Sequence, residues 1–336
     1  MPADAAPTAG PDPTRAVYEA EAARWQAARR SPDPAPARAF AARVRAARRA
    51  GGPTGPVADL GCGPGWSTAA LVEGTDARAV ALDVAGAMLD LVPGHAPAAA
   101  RVQASLAHLP FRPRSLGGAH AIKSYVHLAQ SAVPLALAEL HQATAPGAPV
   151  ELLVFEGDVE LAPLEVDDFP GRRFSRWPEA RLRDVVEGAG FALDRLDTGS
   201  ATGPPSGLRV QATRERTLPD TVGPGMGLLV CGLNPSVYSA DAGVGFARPG
   251  NRFWPAALAA GLVSRDRDPW HALRAHGVGM TDVVKRATAR ADQLDPQEYR
   301  DGMARIERLV AWLRPGLVCF VGLAGWRAAV DRRAVA

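Results

Sequence analysis

The chain has 336 residues, 47% hydrophobic and 22% charged, which is length for two globular domains, since about 100–200 residues make one. No apolar run approaches the roughly 20 residues of a membrane span, and the opening MPADAAPTAGPDP lacks the basic-then-apolar pattern of a secretory signal. The net charge of +3 hides a split, with 9 Arg against 5 acids in residues 1–50, 14 basic against 20 acidic in 51–220, and 15 against 10 in 221–336.

An acidic middle between basic ends leaves a polyanion partner an even proposition, because an Arg-rich, Ala-rich sequence also follows from GC-rich coding. Cys62, Cys231 and Cys319 show no CxxC spacing. They exclude a disulfide scaffold, argue against a cysteine zinc site and fit a reducing cytoplasm; no metal site is expected.

In chain order, the first dozen residues have a disordered composition, and residues 1–37 read as a flexible or helical extension. Helices are predicted over Thr14–Arg30 and Ala37–Ala50, parted by SPDPAP. A strand over Val57–Leu60 runs into glycines. Helix Ser67–Glu73, strand Ala79–Leu82, a short helix, strand Gly118–Ile122, helix Val133–Thr144 and strand Pro149–Phe155 follow. That alternation predicts a parallel α/β sheet. A helix at Glu179–Ala189 precedes strands near Phe191–Asp197 and Leu208–Thr213, which with no long connection form a hairpin. The composition of Thr217–Gly227 is that of a linker. A second α/β unit starts at Leu228–Cys231, with helices Asn251–Ala260 and Gln297–Leu313 and strand Leu317–Val321. Domains are accordingly expected at 38–216 and 227–336, joined by 217–226.

Asp59-Leu-Gly-Cys-Gly-Pro-Gly65 joins the first strand to a helix, where open α/β sheets bind ligands. Gly61, Gly63 and Gly65 permit a tight turn and close approach to a ligand. A dinucleotide fingerprint requires glycine where Trp66 stands. The spacing instead resembles class I S-adenosylmethionine-dependent methyltransferases over roughly residues 40–216. That resemblance assigns S-adenosylmethionine as cofactor, with the glycine loop and Asp59 around its methionine part. Asp83, ending the second strand, would bind the ribose diol, and Ser105 stands where the family usually has an acid at the adenine. The methyl acceptor is unassigned. Lys123, Tyr125 and His127 follow the fourth strand, within reach of an acceptor.

Leu228-Leu-Val-Cys-Gly-Leu-Asn234-Pro ends a buried strand, and Phe246 follows in Gly245-Phe-Ala-Arg-Pro-Gly-Asn-Arg-Phe-Trp254. Together these closely resemble the mismatch-specific uracil-DNA glycosylases, and the segment 277–292 and strand 317–322 fit the same family. The resemblance implies duplex DNA with G·U or G·T mispairs as partner, base flipping, Asn234 placing a water, and Phe246 stacking on the flipped base. Asn251 and Arg252 are assigned to the loop and to DNA, no cofactor is expected for this domain, and His271 and His276 are expected at the surface. No Asn-Pro-Ser-Gly-type segment appears before Ala336, so this domain is expected to be incomplete. The fold expected is thus two three-layer α/β domains, a Rossmann-like methyltransferase sheet and an incomplete glycosylase-like parallel sheet. Two alternatives stay open: a methyltransferase with a vestigial glycosylase domain, and a non-catalytic nucleic-acid-binding protein.

Overall fold

The structure, a computed structural model, describes residues 12–199, 206–322, 326–327 and 333–334. The expected disorder of the N-terminus falls almost wholly outside them.

Helices α1 (Pro13–Ala27) and α2 (Ala35–Arg49) open the chain. The Asp12 carboxylate caps α1, accepting from the Thr14 N–H at 2.9 Å, and Pro13 presets its first turn. Phe40, Ala41 and Val44 of α2 pack on Val57 and Leu71. Then come β1 (Val57–Leu60), α3 (Trp66–Gly74), β2 (Ala79–Asp83), α4 (Gly86–Leu89), β3 (Ala100–Gln103), β4 (Gly118–Ile122), α5 (Val133–Ala143) and β5 (Pro149–Glu156). Strands β6 (Val159–Ala162) and β7 (Phe174–Trp177), helix α6 (Glu179–Gly188), and strands β8 (Phe191–Asp197) and β9 (Gly207–Arg214) complete the first unit.

Its described strands form a nine-stranded sheet in the order β3-β2-β1-β4-β5-β7-β6, with β9 antiparallel to β5 and β8 antiparallel to β9. The expected terminal hairpin is therefore present. Strand β5 is buried along seven of its eight residues, as a central strand covered on both faces must be. Its Glu151, 1% exposed, ion-pairs with Arg209 and accepts from Gln211 at 3.1 Å.

The second unit has strands β10 (Leu228–Gly232), β11 (Val278–Asp282) and β12 (Leu317–Phe320) in a parallel sheet ordered β11-β10-β12. Helices α7 (Val237–Ala242), α8 (Phe253–Ala259), α9 (Pro269–His276) and α10 (Pro296–Leu313) surround it. A capping box fixes the start of α10: Asp295 accepts from the Gln297 N–H and Glu298 from the Asp295 N–H.

Several elements carry no sequence signal. Strand β3 is a largely exposed edge without apolar alternation, and β6 and β7 are four-residue strands around a long loop. Strand β11 (Val-Gly-Met-Thr-Asp) has a glycine at its second position.

The segment with a linker's composition is packed, not free. Thr217, Asp220, Thr221 and Val222 are all buried, and Thr221 and Met280 exchange both backbone hydrogen bonds, at 2.9 and 3.0 Å, against β11. Proline and glycine mask a run of buried residues. Asp220 accepts from Lys285 (2.8 Å), Arg305 (2.6 Å) and the Thr281 hydroxyl (2.7 Å), and its N–H donates to the Gly188 carbonyl of the first unit. Beside it Arg308 donates to Asp184, and Trp177 meets Trp312 edge-on at 6.2 Å. Removing the Asp220 carboxylate strands two buried cations, so Asp220→Ala is expected to lose about 3–5 kcal/mol in urea unfolding. A loss below about 1 kcal/mol, the scale of an exposed pair, would contradict this packing.

Candidate functional site

The first candidate site lies where β1, β2 and β4 end side by side. Gly61, Gly63 and Gly65 all have positive φ (72°, 53° and 92°), but for different reasons. A Cβ at Gly61 would strike the Ser124 side chain and one at Gly65 would meet Val92, whereas one at Gly63 meets nothing within 4 Å. Gly63 therefore presents bare backbone to open space, the arrangement that lets a ligand approach the chain.

Asp83 holds this loop in place. Its carboxylate accepts from the Gly63 N–H and the Ala85 N–H, each at 2.9 Å. Burial raises its pKa, and those backbone bonds oppose the rise. Asp59 acts as an internal tie. It accepts from the Thr68 hydroxyl at 2.6 Å and faces His120 Nδ1 at 3.3 Å, joining α3 and β4 to β1. Ser105 is half-buried, its hydroxyl taken by the Ala107 N–H at 3.2 Å. The structure thus joins Asp83 and the loop directly, and turns Asp59 inward.

Helix α1 adds residues that the sequence could not place here. Trp25 stacks on Trp66 (5.5 Å between centroids, 27°), and Gln26 pairs with His95 at 2.9 Å. Tyr18 Oη lies 3.0 Å from His127 Nε2. His127 Nδ1 is 2.8 Å from the Arg173 carbonyl, which can only accept, so Nδ1 carries the proton and Nε2 accepts from Tyr18. Burial pushes His127 down to about 4, so it is neutral at pH 7. Tyr125 is fully buried with its hydroxyl unpartnered. Lys123, at φ 57°, is exposed, with its amine 5.7 Å over the Phe155 ring. The Ser124 hydroxyl, in a residue 7% exposed, also lacks a partner.

The second candidate site lies at the ends of β10 and β11. The Asn234 amide N–H2 donates to the Arg286 carbonyl (3.0 Å) and the Thr288 hydroxyl (2.8 Å). A carbonyl accepts only, which fixes the amide orientation and leaves Oδ1 to accept from another donor. Phe246, at φ 57°, is half-buried and stacked on Phe253 at 4.3 Å and 27°. One ring face is therefore already covered.

A cavity beside it is lined by Leu218, Phe246, Trp270, Thr281 and Asp282, and by Gln142 of α5 from the first unit. Gly232, paired with Asp282 across the strands, has no Cβ. One placed there would collide with the Asp282 carboxylate and lie 3.5 Å from Phe246 Cζ. Asp282 lines this cavity and the sequence pattern does not reveal it; its one signal is a place at a strand end, and the glycine in β11 hides that strand. Burial pushes Asp282 up to about 6, against the pull of Lys285 and Arg305.

Asn251 Oδ1 accepts from the Phe253 N–H at 2.9 Å and fixes the start of α8. Arg252 and Arg248 are exposed, and no ion pair involves either among the described residues. His271 and His276 both bond the Ser264 hydroxyl at an exposed site. Among the described residues no cluster of three or more His, Cys, Asp or Glu is placed to hold a metal ion, and no helix is long and apolar enough to cross a membrane.

Residues 57–147 match the family model described as a methyltransferase domain, and residues 219–335 match that of the uracil DNA glycosylase superfamily. The chain joins a methyltransferase domain to a uracil-DNA-glycosylase-superfamily domain. Among solved structures, the methyltransferase domain is similar to a magnesium protoporphyrin IX methyltransferase from Synechocystis PCC 6803, crystallised with bound SAM. That match has 16% identity and TM-score 0.46, covering 62% of this chain and 100% of that one. An S-adenosylmethionine-dependent methyltransferase from Mesorhizobium loti matches at 19% identity and TM-score 0.41, covering 51% and 96%.

The geometry of both domains is open to test. Gly63→Ala is expected to cost only the left-handed backbone, about 1–2 kcal/mol, while Gly61→Ala adds a collision and costs more; equal losses in chemical denaturation would contradict the assignment. For Asp282, a folded pKa above the ordinary 3.8 contributes stability below that value and loses it as pH rises through about 6. Asp282→Asn is therefore expected to stabilise the protein by about 1–3 kcal/mol at pH 8 and hardly at all at pH 4. A pH-independent difference would refute it.

Proposed function

We propose that the chain is an S-adenosylmethionine-dependent methyltransferase fused to a glycosylase that removes uracil or thymine mispaired with guanine. For the first activity the supporting observation is the Gly63 cradle, open to a ligand and held by Asp83. The unpartnered buried Ser124 hydroxyl beside Gly61 adds a polar atom seeking a partner. These residues fit the cofactor: Asp83 would accept from the ribose hydroxyls, the glycine loop would hold the methionine part, and Ser105 would offer one hydroxyl to the adenine. When bound, the cofactor supplies an electrophilic methyl group on a sulfonium. The chain's residues bind and orient it, and Trp25, stacked over Trp66, excludes water from the loop.

For the second activity, Asn234 carries the reading. Its amide nitrogen is held by the 286–288 segment, so Oδ1 can accept from a water placed for attack on the glycosidic carbon. Phe246 offers its uncovered ring face to a flipped base. Arg252 and Arg248, exposed and without ion pairs among the described residues, supply phosphate contacts, with Asn251 holding the loop that bears them. An amide takes up no proton, so turnover is slow relative to a carboxylate-assisted reaction.

Release of free uracil from a G·U duplex is expected, and Asn234→Ala should lower it about 100-fold or more. No release by the intact chain would overturn the glycosylase reading. Arg252→Gln should weaken duplex binding at all sequences and reduce the salt slope by about 1. For the methyltransferase, calorimetry should detect S-adenosylmethionine binding, weakened roughly 10- to 100-fold by Asp83→Ala. Equal affinity in that variant would remove Asp83 from the site.

A further inference from the structure

The cavity beside Phe246 is walled from both domains. Phe246, Trp270 and Asp282 line it from the second domain, Leu218 and Pro219 from the connecting segment, and Gln142 from α5 of the first. It is small, about 30 Å³, which is room for about two water molecules. A group that enters so small a space meets both Gln142 and Asp282.

The position of Gln142 is fixed through Arg114. The Gln142 carbonyl accepts from the Arg114 N–H at 2.7 Å, and the Arg114 guanidinium donates to the Ala240 and Asp241 carbonyls at 2.9 and 2.6 Å. Arg114 thus ties the end of α5 to the end of α7, next to Gly243, which also lines the cavity. The Gln142 side chain is half-buried, and its amide has no hydrogen-bond partner among the described residues.

Asp282 is the second open polar group. Lys285 and Arg305 lie near enough to pull on its charge, yet both pair with Asp220, at 2.8 and 2.6 Å. The Asp282 carboxylate forms no hydrogen bond or ion pair among the described residues. At pH 8, above the value of about 6 to which burial pushes it, Asp282 is ionised and only accepts. A charged acceptor and a free amide facing one small space suit a ligand edge that offers a donor beside an acceptor. The imide edge of uracil and thymine is of this kind, an N–H flanked by carbonyls, whereas cytosine carries no proton at that ring nitrogen.

We propose that both domains build the pocket that reads the excised base: with the ring against Phe246, Asp282 accepts from the imide N–H and the Gln142 amide of the methyltransferase domain donates to a neighbouring carbonyl. This rests on the glycosylase reading. Only the base edge enters the cavity, in keeping with its size. The fusion thereby acquires a physical role, since the second domain without the first loses one wall of this cavity.

The test measures binding of the full chain at pH 8 to a duplex carrying one 2′-fluoro-2′-deoxyuridine opposite guanine, whose fluorine blocks cleavage, against the matched G·C duplex. Uracil release from a G·U duplex is followed in parallel. The unaltered chain is expected to prefer the uracil duplex by about 10-fold or more. Gln142→Ala should reduce that preference about 3- to 10-fold and Asp282→Leu about 10-fold or more, with affinity for the G·C duplex and for S-adenosylhomocysteine unchanged. Gln142→Glu sets two carboxylates against one imide edge and should abolish the preference. Adding Asp282→Asn to Gln142→Glu moves the charge across the cavity and should restore it to within about 3-fold, a recovery that a merely structural role would not produce. A preference unchanged in both Gln142→Ala and Gln142→Glu overturns the proposal. The failures are separable. Uracil release and preference indifferent to Gln142 remove the shared pocket and leave the glycosylase reading. A uracil preference sensitive to Gln142 and Asp282 but without release supports the pocket and removes the catalytic reading. Neither preference nor release removes both.

Discussion

Asp220 is 3% exposed, and a carboxylate so far from water is tolerable only if its lone pairs are filled and its charge is matched. Lys285, Arg305 and Thr281 do this, and together they hold its pKa below the ordinary value against the opposing effect of burial. The consequence is architectural. The chain enters the second domain through Asp220, whose N–H is bonded to Gly188 while its side chain is held by β11 and α10. The two domains therefore meet through a buried, charged, fully specified contact. The edge-on contact of Trp177 with Trp312 and the Arg308–Asp184 pair extend it.

That contact brings the methyltransferase domain to the wall of the cavity beside Phe246. Gln142 of α5 lines the space beside Phe246 and Asp282. Arg114 donates to the Ala240 and Asp241 carbonyls at the end of α7, and Arg216 pairs with Asp241. The loop between Asn234 and Phe246 is thus braced from the other domain. A positive charge at a helix carboxyl end is favourable, so these arginines stabilise the segment that positions Phe246 in its left-handed conformation.

Much of this is legible in the sequence because strand-to-loop glycine patterns report backbone geometry directly: Gly61 through Gly65 need positive φ, and all three have it. The two α/β units and the closing hairpin follow from alternation of strand and helix. What stays hidden is what depends on distant residues meeting. Tyr18 and Trp25 lie more than 40 residues before the partners they cover, and nothing in an Ala/Arg-rich helix announces them. Asp282 is invisible because a glycine at the second position of β11 weakens the strand pattern. The segment around Asp220 has a linker's composition, yet it is buried almost continuously from Thr217 to Gly223. The basic excess of residues 221–336 changes meaning in the same way, since Arg286, Arg290, Arg305 and Arg308 are consumed by ion pairs. Arg248 and Arg252, which follow Phe246 closely in the sequence, are exposed and without an ion pair among the described residues.

The central claim is that one buried carboxylate makes the two domains a single cooperative unit with the Gly61–Gly65 loop at one end. Differential scanning calorimetry with and without S-adenosylhomocysteine tests it most directly. A single transition that moves as a whole to higher temperature with the ligand, and that separates into two in Asp220→Asn, is the expected result. Two transitions in the unaltered chain, with only the first responding to the ligand, would contradict it.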